Sequence, residues 1–589
     1  MREDFLVTYK RSDSPDIGRL TLQYDSNEIK LYCNSGSLIQ IGDIQIFIDG
    51  YILPRDIIFD EYSKYDPHSL VHVLYKKFDD DFILNIKGFF CIIILDSYQV
   101  KIFNDQLGLY PCYYTSGLKS IDRISNSVDL LKSDGFTLKP DYSSIVIKSL
   151  IHRNVPGKTT FEGLEKFLPA TCLRINDQSV LKSQYWKYTS LLELKKKKRA
   201  SSFENEANFM NRLFSQFLQY LNPDKQYISL TGGKDSRTGL AALKSLSKNP
   251  VGFTYGNPMS RDVIYAGLLA DSVKIDHYII EPESSVDYFE DAVSDIVKLG
   301  NPDINLFRLH RFNAFKKVSD KSDSQSAYFA GYMAGEILMG IYYDNLIFTN
   351  FITDFWENGS LNSIADIAYN YFIKDQCFDD KAVLDDLHKL ECLNPDLSRS
   401  MKQFHGLFEI GIPHHAQDIF ISSNYFSYTY PFFLDIDLLE DLFYGNFNLF
   451  HTDNTTKNPF KRYALYAYNL NIQHLLFPQM DQVPFGKRGS YNTREYLRGS
   501  FYWSVIKTIR FFTERKTYPP SINYDETFRQ FLLQWLNQIN SDRNSELHMS
   551  FNIEEAISEL SLISGTTQEG ILHKYSNIVM LYMQLNYYK

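Results

Sequence analysis

The segment QYISL-TGGKDS-RTGLAALKSL, residues 226 to 246, limits the folds open to this chain more than any other stretch. A run rich in strand formers ends at Leu230, adjacent glycines follow at Gly232 and Gly233, and Leu240, Leu243 and Leu246 then recur at helical spacing. The order is strand, loop, helix, and the strand-like VGFTYG at 251 to 256 makes it part of an α/β sheet. The glycines let the backbone come close to a ligand, and the following helix aims its unpaired N–H groups and positive dipole end at the loop. That is an anion site suited to phosphate. It departs from G-x-x-x-x-G-K-[ST], because Lys234 follows both glycines and is itself followed by Asp235. An acid beside phosphates is explained if Asp235 holds Mg²⁺ bridged to a polyphosphate, with Thr231 and Ser236 adding hydroxyl hydrogen bonds. The same residues also fit a plain turn in which Asp235 or Ser236 caps the helix.

The chain of 589 residues is too long for one core, so two or three domains are expected. Residues 1 to 190 are β-rich, with short apolar or alternating runs such as IQIFID (44 to 49) and FFCIIIL (89 to 95) broken by Gly, Asp, Asn and Pro. The basic block Lys195 to Arg199 marks a linker over 191 to 204, since like charges repel in a packed core. From 205 to 589 the periodicity is mainly helical. The net charge of -10 argues against nucleic-acid and anionic-membrane partners. The six cysteines are scattered with no C-x-x-C pair, so neither a disulfide framework nor a zinc site is implied. No apolar run approaches the ~20 residues that span a bilayer, and the start lacks a signal-type apolar region. A soluble, cytoplasmic protein is the expectation. The 42 Tyr and 44 Phe point to an aromatic interior, some of it able to line a substrate groove.

TGGKDS resembles the S-G-G-x-D-S pyrophosphate loop of the adenylating PP-loop ATP pyrophosphatases, with Thr231 in the Ser position. VGFTYGNPMSRDVIYAGLLADSVKIDH (251 to 277) and YPFFLDIDLLE (430 to 440) are similar to asparagine synthetase segments. In the N-terminal half, IFIDGYIL (46 to 53), ILNIKGFFCIIILD (83 to 96) and IFNDQLGLYPCYYT (102 to 115) resemble class II glutamine amidotransferase motifs, in the same order. The resemblance, to the asparagine synthetase-like superfamily, covers roughly 40 to 490. It implies an N-terminal αββα Ntn-type sandwich, then a parallel-sheet PP-loop domain of the adenine nucleotide α-hydrolase-like kind with a helical C-terminal part. It further implies ATP and Mg²⁺ as cofactors, and nucleotide binding by Ser229, Leu230, Thr231, Gly232, Gly233, Asp235 and Ser236. Phe253, Tyr255 and Gly256 at the next strand edge would hold adenine.

Several positions depart from that pattern. Family members begin Met-Cys, the Cys being the glutaminase nucleophile; here Met1-Arg2-Glu3 stands instead, and Asp49 replaces the usual Asn. A sandwich without glutaminase activity, acting as scaffold, is expected. The family's S-G-x-G-x-D-E segment finds its nearest match in AGYMAGEILMG (330 to 340), where Gly335 takes the acidic place. Glu336 then becomes the candidate for a second metal carboxylate, or else a plain surface residue. The family's E-x-R is absent, with Tyr428, Thr429 and Tyr430 in its place. The catalytic Lys expected late in the synthetase domain corresponds to Lys487, with Arg488 as the alternative.

The chemistry implied is adenylation of a carboxylate with release of pyrophosphate, then attack by an amine with release of AMP. Lys234 and Lys487 would neutralise developing negative charge. Without glutamine cleavage the amine belongs to the substrate, as in β-lactam synthetase and the lasso-peptide macrolactam synthetases. Expected partners are a small-molecule or peptide substrate and a peptide-maturation protease or leader-binding protein. Intermolecular amidation with free ammonia or another amine stays open, as does a non-catalytic nucleotide-binding scaffold.

Overall fold

The protein is described here from a computed structural model, over residues 4–9, 20–25, 29–96, 99–116, 121–151, 153–176, 178–197, 199–281, 285–298, 306, 309–319, 325–339, 372–374, 377–394, 396–424, 426–445, 447, 463–485, 490–513, 518–519, 525–543, 545–562 and 569–587. Two six-stranded antiparallel sheets come first. One contains β1 (Phe5–Tyr9), β2 (Thr21–Asp25), β3 (Ile29–Cys33), β8 (Tyr113–Ser116), β9 (Ile121–Ser125) and β10 (Leu164–Lys166), in the order β10-β8-β9-β1-β3-β2. The other contains β4 (Leu38–Ile41), β5 (Ile44–Pro54), β6 (Ile86–Leu95), β7 (Val100–Asn104), β11 (Thr171–Ile175) and β12 (Val180–Gln184), in the order β12-β11-β7-β6-β5-β4.

The long β5–β6 pair shows why the sheets stack. In β6, Phe89, Cys91, Ile93 and Leu95 point into the core between the sheets, while Phe90, Ile92 and Ile94 point to the outer face. That alternation makes both faces apolar, so both must be covered. Helix α1 (Pro67–Phe78) covers the outer one with Leu70, Val71 and Leu74, each fully buried. Asp66 starts it by accepting from the N–H groups of His68 and Ser69 at 3.0 and 3.1 Å. A short helix, Val128–Ser133, packs on β9 and β1 at the other side, which completes the αββα layering. Gly50 and Gly88 permit the close approach of β5 and β6, since a Cβ at either would fall 2.0 or 2.1 Å from a facing carbonyl oxygen. All six cysteines are free thiols.

The third sheet is parallel: β13 (Lys225–Ser229), β14 (Val251–Tyr255), β15 (His277–Ile280), β16 (Ser326–Phe329) and β17 (Tyr428–Tyr430), in the order β15-β14-β13-β16-β17. Around it run α2 (Phe203–Leu221), α3 (Asp235–Ser245), α4 (Arg261–Val273), α5 (Ala334–Met339), α6 (Ile436–Tyr444), α7 (Ala467–Leu476) and α8 (Ser500–Thr513). The apolar stripe of α2 lies on the sheet, with Phe214 stacked on Phe329 and Phe217 on Tyr430 at centroid distances of 5.3 and 4.3 Å. Many of the aromatic residues are therefore structural core. The described C-terminal stretch is mainly helical, and no described helix is long and apolar enough to cross a membrane.

A polar seam joins sandwich and parallel sheet. The Lys87 ammonium lies 2.7 and 2.8 Å from carboxylate oxygens of Asp435 and Asp437, Arg55 pairs with Asp437 and Glu440, and Tyr51 Oη donates to the carbonyl of Thr429 at 2.6 Å. The basic block read from its charge as a solvated linker looks different in three dimensions. Residues Ser190–Lys197 form a helix, Lys195 is buried, and Arg199 donates its backbone N–H to Tyr444 while its guanidinium pairs with Asp441. The charge of Arg199 is offset by an acid 242 positions away, and that of Lys196 by Glu193 in the same helix.

Candidate functional site

Strand β13 sits in the middle of the parallel sheet, and the chain leaves its C-terminal end through Leu230 to Lys234 before α3 begins at Asp235. Ligands of open parallel sheets bind at this end of the strands. The turn's N–H groups are met by side-chain oxygens alone: Thr231 N–H by Ser236 Oγ at a long 3.4 Å, Gly232 N–H by Asp262 Oδ1 at 3.2 Å, and Gly233 N–H by Thr231 Oγ1 at 3.1 Å. Phosphate oxygens can take the place of such side-chain acceptors. Gly232 has little room for a side chain, since a Cβ would lie 2.9 Å from Asp262 Oδ1.

Beside the loop opens a cavity of about 330 Å³, lined by Ser229, Leu230, Thr231, Asp235, Ser236, Phe253, Thr254, Tyr255, Phe315, Tyr328, Gly331 and Tyr332 among others. Its size is that of a small-molecule pocket, roughly 300–1,000 Å³. Phe253, Phe315 and Tyr328 pack edge to face or tilted at 4.7 to 5.9 Å and give it an aromatic wall. Ser229 Oγ and Tyr328 Oη lie 2.8 Å apart, and Thr254 Oγ1 donates to Leu230 O at 2.8 Å, tying the two strand ends together. The structure thus brings Ser229, Leu230, Thr231, Asp235, Ser236, Phe253 and Tyr255 to one cavity. Gly232, Gly233 and Lys234 form the turn beside it. Gly256 falls outside the lining and gives its N–H to Ile280 O at 3.0 Å.

Helix α7 fixes the loop from outside. Asn469 Nδ2 donates to Asp235 Oδ1 at 2.7 Å, and Gln473 Nε2 donates to the carbonyl of Lys234 at 2.8 Å. Tyr466, just before α7, carries the Lys234 ammonium 4.4 Å from its ring centroid, with Lys507 of α8 at 5.6 Å from the same ring. Burial pushes the Asp235 carboxyl up, opposed by the Lys234 charge and by Asn469. A carboxylate in that condition gains from a cation. Among the described residues no three His, Cys, Asp or Glu side chains converge as a metal site, so a metal here would be held by carboxylate and phosphate together. Glu336, expected as a second ligand, lies half-buried in the first turn of α5 and outside the cavity lining. Lys487 and its alternative Arg488 lie outside the described residues.

Four residues at the loop were not singled out from sequence: Asp262, Arg237, Asn469 and Gln473. Asp262 stands at the start of a helix behind a strand, a detectable signal. Asn469 and Gln473 share a helix face at i, i+4, which alone says little. Arg237 is buried, donates to three carbonyls, and desolvation pushes its guanidinium down to about 9.

In the sandwich, Asp49 is buried and accepts from Tyr110 Oη, from Asn126 Nδ2 at 3.1 Å and from Gly50 N–H at 2.8 Å, while Asn126 Oδ1 accepts from Phe5 N–H at 3.2 Å. These polar groups, at the middle of β5, satisfy one another.

Residues 62–186 match the family model of the glutamine amidotransferase domain, the sandwich portion of the chain. No curated protein matches. Among solved structures, NMN synthetase from Francisella tularensis is 12% identical, covers 37% of this chain and 96% of its own, and superposes with a TM-score of 0.22. The NH3-dependent NAD synthetase from Campylobacter jejuni is 14% identical over 34% of this chain and 99% of its own, at 0.19. Glutamine phosphoribosylpyrophosphate amidotransferase from B. subtilis is 9% identical over 56% and 75%, at 0.22. The amidotransferase match and the layered α/β architecture are consistent with the asparagine synthetase-like resemblance; the low-scoring superpositions add nothing to it.

Proposed function

We propose that this chain is an ATP-dependent, AMP-forming carbon–nitrogen ligase that joins a carboxylate and an amine of one substrate, a peptide or small molecule. The observation that carries the proposal is the Thr231–Ser236 turn, whose N–H groups met only by side-chain oxygens, buried acid and adjoining aromatic cavity suit a nucleotide with its polyphosphate. In the first step a substrate carboxylate oxygen bonds to the α-phosphorus of ATP and the bond to pyrophosphate breaks. In the second, the amine nitrogen attacks the acyl carbon, AMP leaves with the bonding electrons, and the amine gives up a proton.

The chain's residues act mainly by placement and charge. Phe253 and Tyr255 flank the base, the turn's N–H groups and Lys234 face the phosphates, and Asn469 and Gln473 hold the turn. Magnesium, held by Asp235 with Glu336 as the further candidate, would neutralise the polyphosphate, and Lys487 would add a second ammonium. Two observations support an amine carried by the substrate. The buried Asp49 carboxylate is taken up by Tyr110 and Asn126, and the cavity between sandwich and sheet, lined by Tyr51, Lys87, Asp105, Tyr430 and Asp435, holds only about 30 Å³, room for about one or two waters.

The test is incubation with ATP, Mg²⁺ and candidate substrates, reading AMP against ADP by mass. AMP and pyrophosphate are expected in equal amounts. Asp235→Ala should lower AMP formation by about 10²-fold or more while the fold persists. ADP as the product, or unchanged turnover in the variant, would remove the proposal.

A further inference from the structure

Arg237 lies in the first turn of α3, two positions past Asp235, and is 1% exposed. Its Nε donates to Gly233 O at 3.0 Å, Nη1 to Val483 O at 2.9 Å and Nη2 to Pro484 O at 2.5 Å. Its guanidinium lies 5.1 Å from the ring centroid of Phe485. All its hydrogen-bond partners among the described residues are neutral carbonyls. Arg55, Lys87 and Arg123 are also largely buried, but each of them faces carboxylates.

Carbonyls satisfy hydrogen bonds without cancelling charge, so Arg237 keeps a net positive charge in a dry place, at considerable cost. That cost is offset when an anion arrives nearby. One of its acceptors belongs to the proposed phosphate turn, where the N–H of the same Gly233 is met by Thr231 Oγ1. The remaining acceptors belong to a segment some 250 positions away in sequence. The fork geometry of a guanidinium suits such a three-way tie, whereas a lysine ammonium keeps the charge and reaches only some of the carbonyls.

We propose that Arg237 is a positioning residue for the nucleotide's polyphosphate: it fastens the Gly233 turn to Val483 and Pro484 and supplies the uncompensated charge that the phosphates neutralise. It acts through Gly233 and does not touch the ligand. The inference rests on the nucleotide reading given above and adds to it a named source of affinity.

The experiment uses inorganic pyrophosphate with Mg²⁺ as probe, titrated into the full chain and into Arg237→Gln and Arg237→Lys, with affinity read by calorimetry and by the ligand-induced rise in melting temperature. Gln removes the charge and should weaken binding about tenfold or more, while Lys keeps it and should stay within about threefold of the parent chain. A purely structural role predicts equal weakening in both variants, so a Lys variant as weak as Gln overturns the inference. So does a folded Gln variant that binds like the parent. Should the Gln variant fail to fold, the Lys variant decides: binding within about threefold, with the parent's dependence on ionic strength, supports the inference, and a tenfold loss ends it. Failure of the unaltered chain to bind either pyrophosphate or ATP would instead bring down the nucleotide reading itself.

Discussion

Gly331→Ala adds one methyl group where β16 hands over to α5, against the start of α3. An ideal Cβ at this position lies 2.8 Å from both the carbonyl carbon and oxygen of Asp235 and 2.9 Å from Ser236 N. Carbon atoms in contact settle at about 3.5 to 4.0 Å, so one segment must retreat by roughly 0.7 Å. The obstacle is backbone, and no side-chain rotation relieves it. Overpacking of this kind costs about 1–3 kcal/mol. The larger effect should be on turnover, because a displacement of about 1 Å at a reacting centre can cost on the order of 10²-fold. Gly267→Ala is the control: it lies inside α4 with nothing within 4 Å of its would-be Cβ. Relieving glycine's flexibility there should stabilise the chain by about 0.5–1 kcal/mol. Urea unfolding and AMP release are measured on both variants. If Gly331→Ala melts and turns over like the parent, or if the two alanines behave alike, the close approach of this loop to Asp235 is not what positions the site.

Two further predictions concern the seam. Glu206 Oε2 and Asp441 Oδ2 are buried with no hydrogen-bond partner unless a proton lies between the two carboxyls, and burial together with Asp441 pushes Glu206 up to about 8. A raised acid is stabilising when protonated, so the parent should lose on the order of 2 kcal/mol as pH rises from about 4 to about 8, allowing for solvent screening. Glu206→Gln should flatten that profile in urea titrations at several pH values; a parent profile already flat over this window contradicts the shared proton. Lys87→Met takes the ammonium from between Asp435 and Asp437, leaving only Asp437 with a cation, Arg55, and should cost about 3–5 kcal/mol. Adding Asp435→Asn should recover part of the loss, and a double-mutant cycle that comes out additive would show that the pair does not interact.

The turn between β13 and α3 was legible because its signals are local: a run of strand formers, a pair of glycines and a helical leucine repeat within some twenty residues. The β5–β6 ladder was legible for the same reason, in its alternating apolar residues. Arg237, Asn469 and Gln473 were not, because their partners lie far along the chain: Arg237 meets Val483 across 246 positions, and Asn469 meets Asp235 across 234. The block at Lys195 to Arg199 misleads for a related reason, since charge counted along the sequence omits Asp441, which sits beside Arg199 in space. Glu336 was placed by counting along a motif that has lost its acidic position, and a count fixes no side-chain direction.

The seam has a consequence for how much of this chain can be trimmed. Strand β17 is the outermost of the parallel sheet among the described strands, and Tyr51 of the sandwich reaches it, its hydroxyl on Thr429 and its ring 5.9 Å from that of Tyr428. A naked outer strand invites pairing between molecules. Cutting away the first 190 residues would therefore bare this border and strand the acids of α6 without their cations, so a shortened version should clump rather than work. The sandwich is a shutter over its neighbour's rim, useful whatever chemistry it has kept.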